Sequence, residues 1–191
     1  PADLIAMLNQ ALEKWEAVYG NEKKDRSPEE RFAYVIERAY EQAGCGVVVL
    51  VDEYDKPLLQ ALDNDALLED YRKTLKAFYG VLKSADRYLR FAFLTGVTKF
   101  SQVSVFSDLN QLNDISLDYS YATVCGITRT ELVETFTPEI EEFGRVNKLS
   151  AEETVDKMAR QYDGYHFHPK GDGVFNPFSV LNAISKRDSG D

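Results

Sequence analysis

The chain has 191 residues, with 22 Lys and Arg against 32 Asp and Glu, a formal net charge of −10. That length fits one domain, or one domain with a small satellite, and it buries roughly 70% of the surface of the unfolded chain without any metal or disulfide staple. Hydrophobic content of 44% and charged content of 28% exclude a disordered chain, the acidic balance speaks against a nucleic-acid partner, and no apolar run nears the ~20 residues that span a bilayer.

The N-terminus carries no basic, apolar, cleavable leader, so a cytoplasmic protein without membrane attachment is expected. It opens at Pro1 rather than Met, which reads as a piece of something longer. Ile5, Leu8, Leu12 and Trp15 recur at helical spacing and predict a first helix ending near Gly20, with Trp15 in the core. After a polar loop, Ser27-Pro28-Glu29-Glu30 supplies a capping hydroxyl, a proline at the first helical position and a Glu that reaches back. Phe32, Val35, Ile36, Ala39 and Tyr40 carry the second helix to Gly44. Cys45 and Cys125 sit among small or apolar neighbours and form no CxxC, so both read as buried, reduced thiols.

Val47-Val48-Val49-Leu50-Val51 lacks polar alternation, which predicts a strand covered on both faces, as in a parallel sheet. Phe91-Ala92-Phe93-Leu94 is a second such run, and Leu67, Leu68, Tyr71, Leu75, Phe78, Tyr79 and Leu82 mark a long helix between them. Strand, helix, strand in this spacing predicts a βαβ crossover. Residues 101–126 read as loops with one short strand. Beyond them, Thr128 with Glu131, Ser150 with Glu153, and Asn176-Pro177 predict three more helix starts and a small helical unit.

Ligands of open parallel sheets sit beyond the carboxyl ends of the strands. The first run ends in Asp52-Glu53-Tyr54-Asp55-Lys56-Pro57. Carboxylates leaving a dry strand call for solvent or a cation, and Mg²⁺ is the natural counter-charge because it takes oxygen ligands and keeps waters. On that reading Asp52 holds Mg²⁺ and Glu53 orients or deprotonates an attacking water. The plainer alternative has the acids capping the next helix, and Asp55 is read as that cap. Tyr54 reads as packing and Lys56 as solvated surface. Thr95, at the tip of the second run beside Gly96, is placed to bond a phosphate or the water, or else Thr95 and Thr98 bond local backbone in a turn.

Val49-Leu50-Val51-Asp52-Glu53-Tyr54-Asp55-Lys56-Pro57-Leu58 resembles the second nucleotide-site motif of the bacterial predicted AAA-ATPase-like family. Phe93-Leu94-Thr95-Gly96-Val97-Thr98-Lys99-Phe100-Ser101 and Leu112-Asn113-Asp114-Ile115-Ser116 are similar to its sensor strand and the segment after it. Gly126-Ile127-Thr128, Tyr162-Asp163-Gly164-Tyr165 and Asn176-Pro177-Phe178-Ser179 look like its C-terminal pattern. The resemblance implies an α/β fold with a P-loop-like parallel sheet core, Mg²⁺ and ATP as cofactors, and often a C-terminal nuclease-like domain in longer members. It assigns Asp52 to the metal, Glu53 to the water and Thr95 to sensing of the γ-phosphate. The family's GxxxxGK[ST] phosphate loop is absent from this sequence. The core is therefore expected to be incomplete at its N-terminal side, by truncation or by natural loss. Residues 1–127 then form a partial P-loop core with Walker B and sensor strands, residues 128–191 a lid-like helical unit, and the chain alone is inactive towards ATP.

Two rivals come from other classes: a metal-dependent phosphoesterase or nuclease using Asp52, Glu53 and Asp55 as direct ligands, and a non-catalytic interaction domain. His166 and His168 read as loop histidines, and Arg129 and Arg160 as surface ion-pairing residues rather than lid arginines. A sheet lacking its central strand exposes an edge or an apolar face, so self-association through it is expected.

Overall fold

The computed structural model of the protein describes residues 2–97, 105–106 and 112–186. The chain divides into two compact units, Pro1–Leu112 and Asn113–Asp191. Thr98, Lys99, Phe100 and Ser101, which end the motif after the second strand, lie outside the described residues.

The first unit runs α1 (Ala2–Tyr19), α2 (Pro28–Ala43), β1 (Val47–Val51), α3 (Lys56–Gln60), α4 (Asp65–Ser84) and β2 (Leu89–Leu94). Local chemistry sets the helix ends. Ser27 and Glu30 form a reciprocal capping box around Pro28, and Gly44 closes α2 at φ 64, a left-handed conformation that costs glycine little. Asn64 starts α4 by accepting the Leu67 N–H at 3.0 Å. β1 and β2 pair in parallel, with Val48 opposite Phe91, Leu50 opposite Phe93 and Val51 opposite Leu94. The crossover read from the sequence is therefore present, as a small parallel sheet in a helix-rich unit.

One face of that sheet lies on a core built from Leu4, Leu8, Leu12, Phe32, Ile36, Tyr71, Leu75 and Phe78. The Phe32 and Phe78 rings stack with centroids 4.6 Å apart at its centre. Val47, Val49 and Val51 pack against this cluster, whereas Val48 is 53% exposed, Leu50 71% and Phe91 53%. The expectation of a strand covered on both faces is thus corrected: among the described residues only one face is covered. Trp15 is 40% exposed and only leans on the Phe32 ring, because the buried line of α1 runs through Leu4, Leu8, Leu12 and Glu16. Both cysteines are free and exposed, since Cys45 sits in the turn after α2 and Cys125 in the turns before Ile127.

The second unit holds α5 (Arg129–Asn147), α6 (Ala151–Tyr162), β3 (Asp163–Tyr165), β4 (Val174–Phe175) and α7 (Pro177–Lys186). Thr128 and Glu131 form a capping box, Ser150 and Glu153 exchange the same pair of bonds, and Asn176 accepts the Ser179 N–H. The caps hold the Glu131 and Glu153 carboxyls below the usual carboxylate range, mainly through the Thr128 and Ser150 backbone N–H groups. α5 breaks helical geometry at Phe136, just ahead of Pro138. Leu132, Ile140, Phe143, Val155, Met158, Phe175 and Val180 make the core. The unit is not purely helical: β3 and β4 form an antiparallel ribbon, and Ile127 bridges to Phe175. Residues 112–126 contain a short 3-10 turn, Tyr119–Tyr121, and no strand. Among the described residues no helix is long and apolar enough to cross a membrane.

Candidate functional site

The parallel register sets Val51 beside Leu94, so the residues leaving β1 and β2 emerge as neighbours. The ladder continues past both strands. Thr95 donates its N–H to the Val51 carbonyl at 2.8 Å, and Tyr54 donates its N–H to the Thr95 carbonyl at 2.9 Å. The Thr95 hydroxyl donates to Asp52 Oδ1 and accepts the Glu53 N–H at 3.0 Å. Asp52, Glu53 and Thr95 are therefore joined through one hydroxyl. The Thr95 hydroxyl thus bonds backbone, as one of its two readings has it, but the backbone of the neighbouring strand exit and not of its own turn.

Glu53 takes a left-handed backbone conformation, φ 51, which few non-glycine residues adopt. Such a conformation persists only where its surroundings over-determine it. Here the Glu53 N–H is held by Thr95 and its carbonyl accepts the Lys56 N–H at 3.0 Å. Lys56 Nζ lies 2.7 Å from Glu53 Oε2, and this bond raises the lysine's pKa above its ordinary value, with a smaller contribution from Asp52. Lys56 is exposed, as read from the sequence, and it also orients Glu53. Nothing in the sequence pattern pointed to the backbone of Glu53, since any residue type is written the same way in a strand-to-helix turn.

Asp55 stands at the N-cap position of α3, as read, but not as a capping side chain. It makes no side-chain capping bond to α3. It is 0% exposed, and both carboxylate oxygens accept the Val97 N–H, at 3.0 and 3.1 Å. Beside it, a Cβ on Gly96 would run into the Tyr54 ring, so only glycine fits there. The Tyr54 ring in turn meets Phe106 at 4.6 Å, and Phe106 meets Tyr79 at 5.7 Å. Burial, with a smaller push from Tyr54, raises the Tyr79 phenol to about 12, the mark of a dry underside.

Asp52 and Glu53 are exposed, and Thr95 is half-buried. Mg²⁺ fits this donor set as a partly hydrated ion, because a carboxylate and a hydroxyl side by side are hard oxygen ligands and Mg²⁺ commonly takes one or two carboxylates plus waters and phosphates. An all-protein cage is not offered: among the described residues no group of three or more His, Cys, Asp or Glu could hold a metal. Asp55, turned to Val97, does not converge with Asp52 and Glu53 as the phosphoesterase reading requires. In the second unit Arg129 pairs with Asp156 at 2.5 Å, Arg160 and His166 are exposed, and His168 accepts the Lys170 N–H at 3.1 Å. A cavity of about 410 Å³ in the first unit is lined by residues of α1, α2 and the loop between them, among them Glu16 and Arg31, and by none of the strand-tip residues.

A sequence profile of a family described as Predicted AAA-ATPase matches residues 1–106, more than half of the chain. The matched stretch takes in β1, β2, Asp52, Glu53 and Thr95. A protein of Azotobacter chroococcum mcd 1, described as an uncharacterized protein in the vnfD 5' region, is 38% identical over 187 residues. The alignment covers 98% of this chain and 33% of that protein, so the chain spans about a third of the length of the curated relative it matches. No solved structure matches the chain.

Proposed function

The chain belongs to the predicted AAA-ATPase-like family, and from that premise we propose that it is the metal- and water-handling part of a Mg²⁺-dependent, ATP-hydrolysing enzyme. One observation carries the reading: the acid after β1 and the hydroxyl after β2 share a hydrogen bond at the carboxyl ends of two parallel strands. In this role Asp52 holds the metal, and Mg²⁺, when bound, offsets charge on the phosphates. Glu53 orients a water and takes its proton as that water attacks the terminal phosphorus of ATP, releasing ADP. Thr95, whose proton now serves Asp52, is the hydroxyl that meets the phosphate or the water. The first unit acts as the partial P-loop core and the second as a lid-like unit, in a cytoplasmic protein whose exposed free thiols suit a reducing compartment.

The phosphates themselves need a nest of backbone N–H groups and a lysine, which GxxxxGK[ST] would provide. This sequence has no such string, so the 191-residue chain alone is expected to turn over no appreciable ATP with Mg²⁺. In a full-length protein that includes this segment and a phosphate loop, Glu53→Gln should lower turnover by roughly 10²–10⁴-fold, the usual contribution of a general base. Turnover by the isolated chain that Glu53→Gln abolishes refutes the expected inactivity. A full-length protein with no phosphate loop and no turnover points instead to a non-catalytic interaction domain.

A further inference from the structure

The four residues after β1 reach three different fates, and the most deeply buried is Asp55, for which neither a ligand nor a capping role accounts. Its carboxylate crosses from the β1 exit to the β2 exit and accepts the Val97 N–H through both oxygens. Thr95 lies two residues before Val97, and Gly96 between them comes so close to the Tyr54 ring that a Cβ would clash with it. The β2 exit is thus clasped both by a charge-assisted bond at Val97 and by an aromatic ring at Gly96. Because Thr95 also accepts the Tyr54 N–H at its carbonyl, the clasp fixes Thr95 at both ends of the short segment. A free hydroxyl rotor would lose its place between Asp52 and Glu53 if that segment shifted by an ångström.

We propose that Asp55 is the positioning residue of the site: by holding Val97, its buried carboxylate keeps the Thr95 hydroxyl between Asp52 Oδ1 and the Glu53 N–H. Asp55 touches no reacting atom; it acts through Thr95. The inference rests on the functional reading above for its consequence, but its geometry is independent of nucleotide.

The experiment records amide hydrogen exchange by NMR on the 191-residue chain, for wild type, Asp55→Asn and Thr95→Val, with Mn²⁺ alone as the metal probe. Asparagine keeps the shape and one acceptor oxygen but loses the charge. Asp55→Asn should speed exchange at Val97, its bonded partner, and also at Glu53, which reaches that partner only through Thr95, by roughly five- to ten-fold each, the loss of one hydrogen bond's protection. Thr95→Val should speed Glu53 and leave Val97 near its wild-type rate, and α4 amides such as Leu75 should not move in either variant. Faster exchange at Val97 with Glu53 unchanged overturns the proposal, because a merely local strut would behave that way. If Asp55→Asn gives no folded spectrum, Gly96→Ala opens the same clasp from the Tyr54 side, and an unchanged Glu53 amide there overturns it equally. In the metal arm, Mn²⁺ should broaden the Asp52 and Glu53 signals, with several-fold weaker affinity in Asp55→Asn; equal affinity in the two counts against Asp55. No broadening in wild type sinks the metal reading of the site, and the exchange data alone then decide Asp55.

Discussion

Glu53 combines two demands that pull apart. Its carboxylate is the acid proposed to handle the attacking water, yet its backbone sits at φ 51, where a side chain costs roughly 1 kcal/mol or more. Glycine adopts that conformation freely, so Glu53→Gly is expected to be more stable than Glu53→Gln by about 1 kcal/mol in a denaturant titration. Both variants lose the carboxylate, and the Lys56 bond is on the surface and contributes little, so the comparison isolates the backbone. Equal stability of the two would mean that Glu53 sits without strain. At this scale the sequence is readable where partners are near in the chain. The Ser27, Thr128 and Ser150 caps each bond a Glu three residues on and were legible for that reason. For Asp55 the helix start is legible but the use of its carboxylate is not, because its partner, Val97, is 42 positions away.

The pairing of α1 with α2 shows a similar limit for whole elements. Both helices are legible from their apolar spacing, and Leu8 and Leu12 of α1 are buried as expected, but the ends of that line each lie one residue off, at Leu4 instead of Ile5 and Glu16 instead of Trp15. Its buried line ends on a charge: Glu16 is buried against Arg31, whose Nε and Nη2 bond the two carboxylate oxygens at 2.8 and 2.7 Å while Nη1 bonds Asn9. A stripe search over apolar letters stops at Leu12 or drifts to Trp15, since it has no way to count a glutamate as core. The Arg31 bond holds the Glu16 carboxyl below its ordinary value of 4.5, outweighing the upward push of burial. A carboxyl depressed in the folded state adds stability above its unfolded value, and that stability is lost as pH falls below about 4.5 through the folded value. Glu16→Gln, which leaves Arg31 buried without its counter-charge, should cost roughly 3 kcal/mol at pH 7. Thermal melts of the two proteins should then converge on acidification below about pH 4.5. A gap that stays constant with pH would show that the pair is not what joins the helices.

For the molecule as a whole, the βαβ order and the meeting of Asp52, Glu53 and Thr95 at the strand tips are legible from two apolar runs and what comes after each, while the bare sheet face is not. A run of valines says that a strand avoids water; it does not say that this chain supplies both covers. Here Val48, Leu50 and Phe91 stand on the open face, with the Phe91 and Phe93 rings stacked at 6.1 Å. Parallel sheets are rarely left this way, and an apolar patch of that kind invites a second surface. The isolated chain is therefore expected to self-associate with rising concentration, through this face or the adjoining strand edge. Opposing that tendency is the net charge of −10, which repels like molecules at low ionic strength. The two forces separate experimentally: added salt screens the repulsion within about 10 Å at 0.1 M and leaves the apolar attraction in place, so association should strengthen with salt. Leu50→Lys should restore a monomer in sedimentation velocity while shifting stability by no more than about 0.5 kcal/mol, since the side chain is mostly exposed already. A wild-type chain that stays a monodisperse monomer by light scattering at high concentration and high salt would mean that the open face is tolerated in water, and that the family's core needs no further cover there.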